Sequence, residues 1–267
     1  MRTLRAGLRL VYLLSTITLV PFCLLYVGIA SALGTRARYR AIMAATPLFG
    51  QVYLTAFGVR MSVEGAPSRQ ASVYVANHVS YLDIFVAAAA TGAVFVSRHD
   101  VKHWPLFGWF ARMAGTVFID RTSLRSAIES SRTIVESAGD GARIVLFPEG
   151  GILPGDGVKS FKPFLLAAAA DAGLAVQPFA IAYTHFDGRA IDPDDAATRN
   201  LVEWHDMPIH SHAWRIMQAR STRVLVRFGT PQSAAGNGSD AARRFAESLR
   251  AGVAALGPDT LGPDARR

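Results

Sequence analysis

Cysteine is nearly absent: Cys23 is the only one among 267 residues, so no intramolecular disulfide can form, and a reducing compartment fits. Acidic residues are scarce too, with 20 Asp and Glu against 28 Lys and Arg, and charged residues make up only 18% of the chain. The resulting net charge of +8 suits anionic headgroups, an acidic carrier protein or nucleic acid as partners. Nucleic acid is set aside, because the basic residues are scattered and no zinc-finger or RNA-binding signature accompanies them. No Gly-x-Ser-x-Gly elbow is present to mark a serine nucleophile. Gly157-Val158-Lys159-Ser160 breaks the Gly-Lys-Ser order of a phosphate-binding P-loop, so nucleotide binding there is rejected. His205, His210 and His212 have no cysteine partner and no regular ligand spacing, and no metal is expected.

Apolar residues are plentiful. They make up 51% of the chain, with a mean hydropathy of +0.24, so part of the surface is expected to meet lipid. From Leu10 to Leu33 there is no charge. A bilayer-spanning helix needs about 20 such residues, and Pro21 would kink one without forbidding it. A signal peptide is the rival, but the run is long for a signal core and no small-x-small cleavage site ends it. Arg2, Arg5 and Arg9 precede the run, and Arg36, Arg38 and Arg40 follow it. With both flanks basic, charge gives no orientation, and a helix lying in one leaflet fits as well as a span. Residues 36–57 carry basic and aromatic residues on a mostly apolar segment and read as a second, interfacial helix, with a core helix as the alternative.

Beyond residue 60, short strand patterns alternate with helical ones. Strands are expected at Ser72–Ala76, Ala93–Ser97, Thr116–Ile119, Arg143–Phe147, Ala175–Ala182 and Arg223–Phe228, and helices at Leu82–Ala90, Leu106–Met113, Ser123–Ala138, Phe164–Ala172 and Asp240–Leu256. This alternation predicts an α/β fold: a largely parallel mixed sheet flanked by helices, preceded by N-terminal membrane-associated helices. The expected division is 1–60 for the anchor and interfacial helix, 61–256 for the main domain and 257–267 for a disordered tail.

Four segments carry possible chemistry. Asn77-His78-Val79-Ser80-Tyr81-Leu82-Asp83 offers a histidine base with a carboxylate five residues on, able to fix its tautomer. A capped helix start would look the same. Phe147-Pro148-Glu149-Gly150-Gly151 follows the strongest strand, where parallel sheets bind ligands, and Lys159 and Lys162 lie downstream as partners for an anionic headgroup. A simple turn is the alternative. Gly115 to Arg121 places an arginine at a strand exit, suited to a phosphate or to a plain surface ion pair with Asp120. Val176 to Tyr183 reads as a buried strand.

Together and in this order, the four segments resemble the 1-acylglycerol-3-phosphate acyltransferase family of glycerolipid acyltransferases, with its Asn-His-x-x-x-x-Asp, Phe-Ile-x-Arg, Phe-Pro-Glu-Gly and Val-x-Pro blocks. The resemblance implies His78 as base and Asp83 as its orienting partner. It further implies acceptor contacts from Asn77, Arg121, Glu149 and Gly150, with Lys159 and Lys162 adding charge. It implies transfer of a fatty acyl group from acyl-CoA or acyl carrier protein to the sn-2 hydroxyl of 1-acylglycerol-3-phosphate, giving phosphatidic acid. No bound cofactor or metal is implied; the partners are the lysolipid acceptor, the acyl donor and the bilayer. The implied location is the inner (plasma) membrane, with the site on its cytoplasmic side. One departure stands out: Gly151-Ile152 replaces the Thr-Arg that many members carry after Phe-Pro-Glu-Gly. The continuation to Phe161-Lys162 and the Trp204-His205-Asp206-Met207 segment are similar to a bacterial subgroup that includes lyso-ornithine lipid acyltransferases. The remaining rivals are a lipid hydrolase using the same dyad and a non-catalytic lipid-binding membrane protein.

Overall fold

The computed structural model describes residues 1–103, 107–120, 123–155 and 157–257. Its strands are β1 (Val59–Glu64), β2 (Val73–Val75), β3 (Val94–Arg98), β4 (Val117–Ile119), β5 (Ile144–Leu146), β6 (Val176–Phe186), β7 (Arg189–Ala190) and β8 (Thr222–Phe228). They form one sheet in the order β1-β8-β6-β2-β5-β3-β4, with β7 paired to β6. Among the described strands, the β6–β8 and β6–β7 pairings are antiparallel and the others parallel. The expected mostly parallel mixed sheet is therefore the observed one. The helices are α1 (Arg2–Ser15), α2 (Val20–Ala32), α3 (Thr35–Phe57), α4 (Leu82–Thr91), α5 (Phe107–Met113), α6 (Leu124–Gly139), α7 (Pro163–Asp171), α8 (Ala196–Arg199), α9 (Ile209–Gln218) and α10 (Gly238–Ala255).

Two buried clusters cover the two faces of the sheet. One gathers Val73, Val75, Ile144 and Leu146 with Leu165, Leu166, Phe245 and Leu249 from α7 and α10. The other gathers Tyr74, Val145, Phe179 and Ile181 with Leu82, Val86, Leu54 and Ile216 from α4, α3 and α9. Alternate residues of β2 thus point to opposite layers, as the period of two requires, and both faces are apolar because helices cover both.

β1, β7, α8 and α9 have no counterpart among the elements expected from the sequence. β1 is an edge strand whose residues are largely exposed after Val59, so its sequence VRMSVE carries no clear alternation. It also spans position 60, where the anchor was expected to end. α9 reads IHSHAWRIMQ, and its buried stripe of His212, Ile216 and Met217 is short and partly polar, a weak helical signal.

At the N-terminus, Arg2–Ala32 is a run of 31 helical residues with mean hydropathy 2.2, long and apolar enough to cross a membrane. Its large side chains, among them Leu8, Val11, Phe22, Leu25 and Ile29, are exposed. The basic residues before the apolar run dock on the α/β domain. Arg5 donates to the Gln218 carbonyl at 2.7 Å, and Arg9 donates to those of Met217, Ala219 and Arg220 at 2.8, 2.7 and 3.1 Å. Met217 and Gln218 end α9, and Ala219 and Arg220 follow it, so the arginines sit at a helix C-terminus, where cations are favoured. α3 has two faces: Ile42, Leu54 and Phe57 are buried in the domain, while Leu48 and Phe49 stay exposed.

Candidate active site

The C-terminal edge of β2 and β5 carries the site. After β2, the chain runs through Asn77 and His78 into α4, which carries Asp83 in its first turn. His78 Nδ1 lies 2.9 Å from Asp83 Oδ2, and the histidine ring stacks on Phe147 with centroids 4.1 Å apart and planes at 16°. Asp83 is fully buried, yet four donors converge on it. Oδ2 also accepts the backbone N–H groups of Val79 at 2.7 Å and Ser80 at 2.8 Å. Oδ1 accepts the hydroxyl of Tyr183 at 2.7 Å. A buried carboxylate needs such partners. The five-residue spacing works because the His78 loop turns back over the start of α4. With Nδ1 engaged by Asp83, Nε2 is the other ring nitrogen.

Glu149 joins three loops. Its Oε2 accepts the His78 backbone N–H at 2.9 Å and its Oε1 accepts that of Lys159 at 2.9 Å. Burial pushes its carboxyl up to about 7, against the lowering effect of those two hydrogen bonds. Gly150 takes a φ of 91°, a left-handed conformation that lets the chain turn straight after Glu149. Asn77 is committed to the scaffold: its amide donates to the Ile181 carbonyl at 3.0 Å and accepts the Ile181 N–H at 2.9 Å. That pair extends the β2–β6 ladder by one side chain. Lys159 is partly buried and Lys162 exposed, and the Lys162 backbone N–H donates to the Pro148 carbonyl at 2.8 Å. Arg121 lies outside the described residues.

The structure gives Glu203, Trp204, Tyr81 and His212 contacts around the site that the sequence does not show. The segment before α9 straps the site: the Trp204 N–H donates to the Val79 carbonyl at 2.9 Å, and Glu203 Oε2 accepts the Gly155 N–H at 3.0 Å. Tyr81 meets His212 Nδ1 at 3.1 Å, and burial holds that imidazole down at about 4, hence neutral. His212 is thus a packed core histidine. Among the described residues, no group of three His, Cys, Asp or Glu side chains is placed to share a metal ion. Tyr183 directly follows the apolar run AVQPFAIA, where an aromatic residue reads as core.

A family model described as Acyltransferase matches residues 59–182, which hold the His78–Asp83 pair and the Glu149 loop. The chain is 36% identical over 193 residues to the lyso-ornithine lipid O-acyltransferase of Rhodobacter capsulatus, covering 70% of this chain and 67% of that one. It is 32% identical over 223 residues to the 1-acyl-sn-glycerol-3-phosphate acyltransferase of Neisseria gonorrhoeae, covering 82% and 83%. The crystal structure of the 1-acyl-sn-glycerophosphate acyltransferase PlsC from Thermotoga maritima superposes with a TM-score of 0.61 at 21% identity, over 95% of this chain and 96% of that one, a likeness of fold. The resemblance drawn from the four motifs therefore holds, and this chain belongs to the acyltransferase family.

Proposed function

We propose that this acyltransferase moves a fatty acyl group from acyl-CoA or acyl carrier protein to the free hydroxyl of a lysolipid, with His78 as general base and Asp83 as its orienting partner. The supporting observation is the 2.9 Å contact between His78 Nδ1 and an Asp83 carboxylate fixed by three further donors. His78 Nε2 takes the hydroxyl proton as the acceptor oxygen attacks the thioester carbonyl carbon. Asp83 stabilises the imidazolium that forms. The tetrahedral intermediate collapses, the carbon–sulfur bond breaks, and the imidazolium returns its proton to the thiolate. The chemistry asks for no bound cofactor.

The first reading of the acceptor is 1-acylglycerol-3-phosphate, acylated at its sn-2 hydroxyl to give phosphatidic acid for phospholipid biosynthesis. It rests on the relatives of that name, one of which matches over 82% of this chain. A second reading, lyso-ornithine lipid, is favoured by Gly151-Ile152 in place of Thr-Arg and by the relatives of higher identity, at 36% and 42%. Arg121, Lys159 and Lys162 would meet the headgroup, with Glu149 and Gly150 shaping the loop around it and Asn77 holding the base loop in place. Residues 1–60 would anchor the protein on the inner membrane, with the site on its cytoplasmic side and residues 61–256 as the catalytic unit.

The test is acyl transfer by the purified full-length enzyme, using labelled acyl-CoA and labelled acyl carrier protein against a panel of lysolipids. His78→Ala should remove transfer while leaving the unfolding transition in place. Asp83→Asn should lower kcat by roughly 10³–10⁴, the scale for a base that loses its orienting carboxylate. Near-normal transfer by His78→Ala would overturn the mechanism. Fatty acid released without any acceptor would instead indicate a hydrolase.

A further inference from the structure

The carboxylate that orients His78 is itself held from the far side. Asp83 turns Oδ2 toward His78 Nδ1 and the loop N–H groups, and Oδ1 toward the phenol of Tyr183. Tyr183 does not belong to the loop or helix that carries the dyad; it comes from β6, with 7% of its surface exposed. β6 slips register against β8 directly after it: Tyr183 opposes Val224 and His185 opposes Arg223, so Thr184 is an extra residue. Bulges of this kind re-aim a strand beside functional sites. Burial, and next to it the charge of Asp83, push the Tyr183 phenol well above its ordinary range. The hydroxyl therefore stays a donor wherever a histidine base works.

We propose that Tyr183 is a positioning residue for acyl transfer. Its O–H fixes the second carboxylate oxygen of Asp83, sets the carboxylate plane against the imidazole, and draws off part of the negative charge that stabilises the imidazolium. The inference rests on the reading of His78 as base. The other charged groups acting on Asp83 are Glu149 from the loop after β5 and Glu203 from the strap before α9, while the Ser80 side chain and Tyr81, from the loop before α4, face Tyr183 itself. All of them remain when only the Tyr183 hydroxyl is changed.

The experiment uses full-length enzyme in detergent micelles. Tyr183→Phe should lower kcat about tenfold, the size of one hydrogen bond to a charged group. The KM for the acyl thioester should stay within about twofold, because the contact is made to the base and not to substrate. The acid limb of kcat/KM should move to higher pH, since a carboxylate with one donor fewer holds the imidazolium proton more tightly. Site-specific 3-fluorotyrosine at position 183 is a stronger donor and should move the limb the other way, which keeps the test open if Tyr183→Phe does not fold. Phe179→Leu, a core change, should lower stability and leave the limb in place. An unmoved limb with wild-type kcat in the Tyr183 variants overturns the proposal. If His78→Ala is inactive at the same time, that failure belongs to Tyr183 alone; an active His78→Ala brings down the base assignment beneath it.

Discussion

One carboxylate oxygen of Glu149 accepts the backbone N–H of His78 at 2.9 Å, so the loop after β5 holds the loop that presents His78. The other oxygen holds Lys159 in the same way. Glu149→Gln keeps the size but turns an NH₂ toward one of those two donors. The buried N–H facing it then lacks an acceptor, a loss of roughly 1–3 kcal/mol. The carboxyl also carries a pH signature. Its folded value of about 7 lies above the ordinary 4.5, so between these values the folded protein holds a proton that the unfolded chain has shed. The stability this proton gives is complete below the ordinary value and is lost as pH rises through about 7. Unfolding midpoints of wild type and Glu149→Gln, followed between these two values, should show the wild type losing ground to the variant as pH rises. A constant difference would show that Glu149 does not titrate in that window.

Much of this arrangement was legible in the sequence, and the reason is local. His78 and Asp83 are five residues apart, so a loop and one helix turn bring them together without help from the rest of the chain. Glu149 was visible beside them, but as a headgroup contact, because nothing in Phe147-Pro148-Glu149-Gly150 says that its oxygens face the N–H groups of His78 and Lys159. Tyr183 lies 100 residues from Asp83 along the chain, and only the β6–β2 pairing brings it near. β1 is not legible because an exposed edge strand carries little apolar pattern, and α9 because its short buried stripe of His212, Ile216 and Met217 includes a polar residue.

Gly50 sets the distance between α3 and α4. A Cβ there would lie 2.4 Å from Ala89 N and 2.6 Å from Phe85 O, both backbone atoms of α4. Gly50→Ala therefore has to push the two helices apart, and such overpacking costs about 1–3 kcal/mol. Asp83 sits in the first turn of α4, so the displacement reaches the dyad. The expected result is a lower Tm together with a fall in kcat larger than any rise in KM. An unchanged Tm and kcat would show that α4 moves aside without disturbing Asp83.

The exposed apolar run and the arginines before it divide the work at the N-terminus. Burial of the apolar surface should keep the protein with membranes through a high-salt wash, because salt screens charge and leaves apolar burial intact. Deleting residues 1–34 should release protein to the supernatant; if all of it stayed bound to lipid, the anchor assignment would be wrong. The deletion also strips the α9 carbonyls of Arg5 and Arg9. Arg9→Ala alone should cost roughly 1 kcal/mol in unfolding free energy, the charged contacts being discounted for their partial exposure.

The acceptor headgroup is decided by competition. A phosphate monoester carries close to two negative charges near neutral pH and favours planar contacts from arginine. Arg121 follows β4 in the sequence and can supply one such contact, while Lys162 is exposed at the start of α7 as a point charge. The family resemblance implies an arginine after the Phe-Pro-Glu-Gly loop; this chain has Gly151-Ile152 there, so the phosphate has one fewer planar partner. A zwitterionic ornithine headgroup needs less positive charge and is less sensitive to that loss. Offered both lysolipids at equal concentration, the wild type should acylate 1-acylglycerol-3-phosphate if the first reading holds. Arg121→Ala should then raise the barrier for that acceptor by about 2 kcal/mol, a lost charge-assisted contact, and leave lyso-ornithine lipid nearly untouched. Acylation of lyso-ornithine lipid with 1-acylglycerol-3-phosphate ignored would reverse the order of the two readings, and the same dyad would then serve the second acceptor.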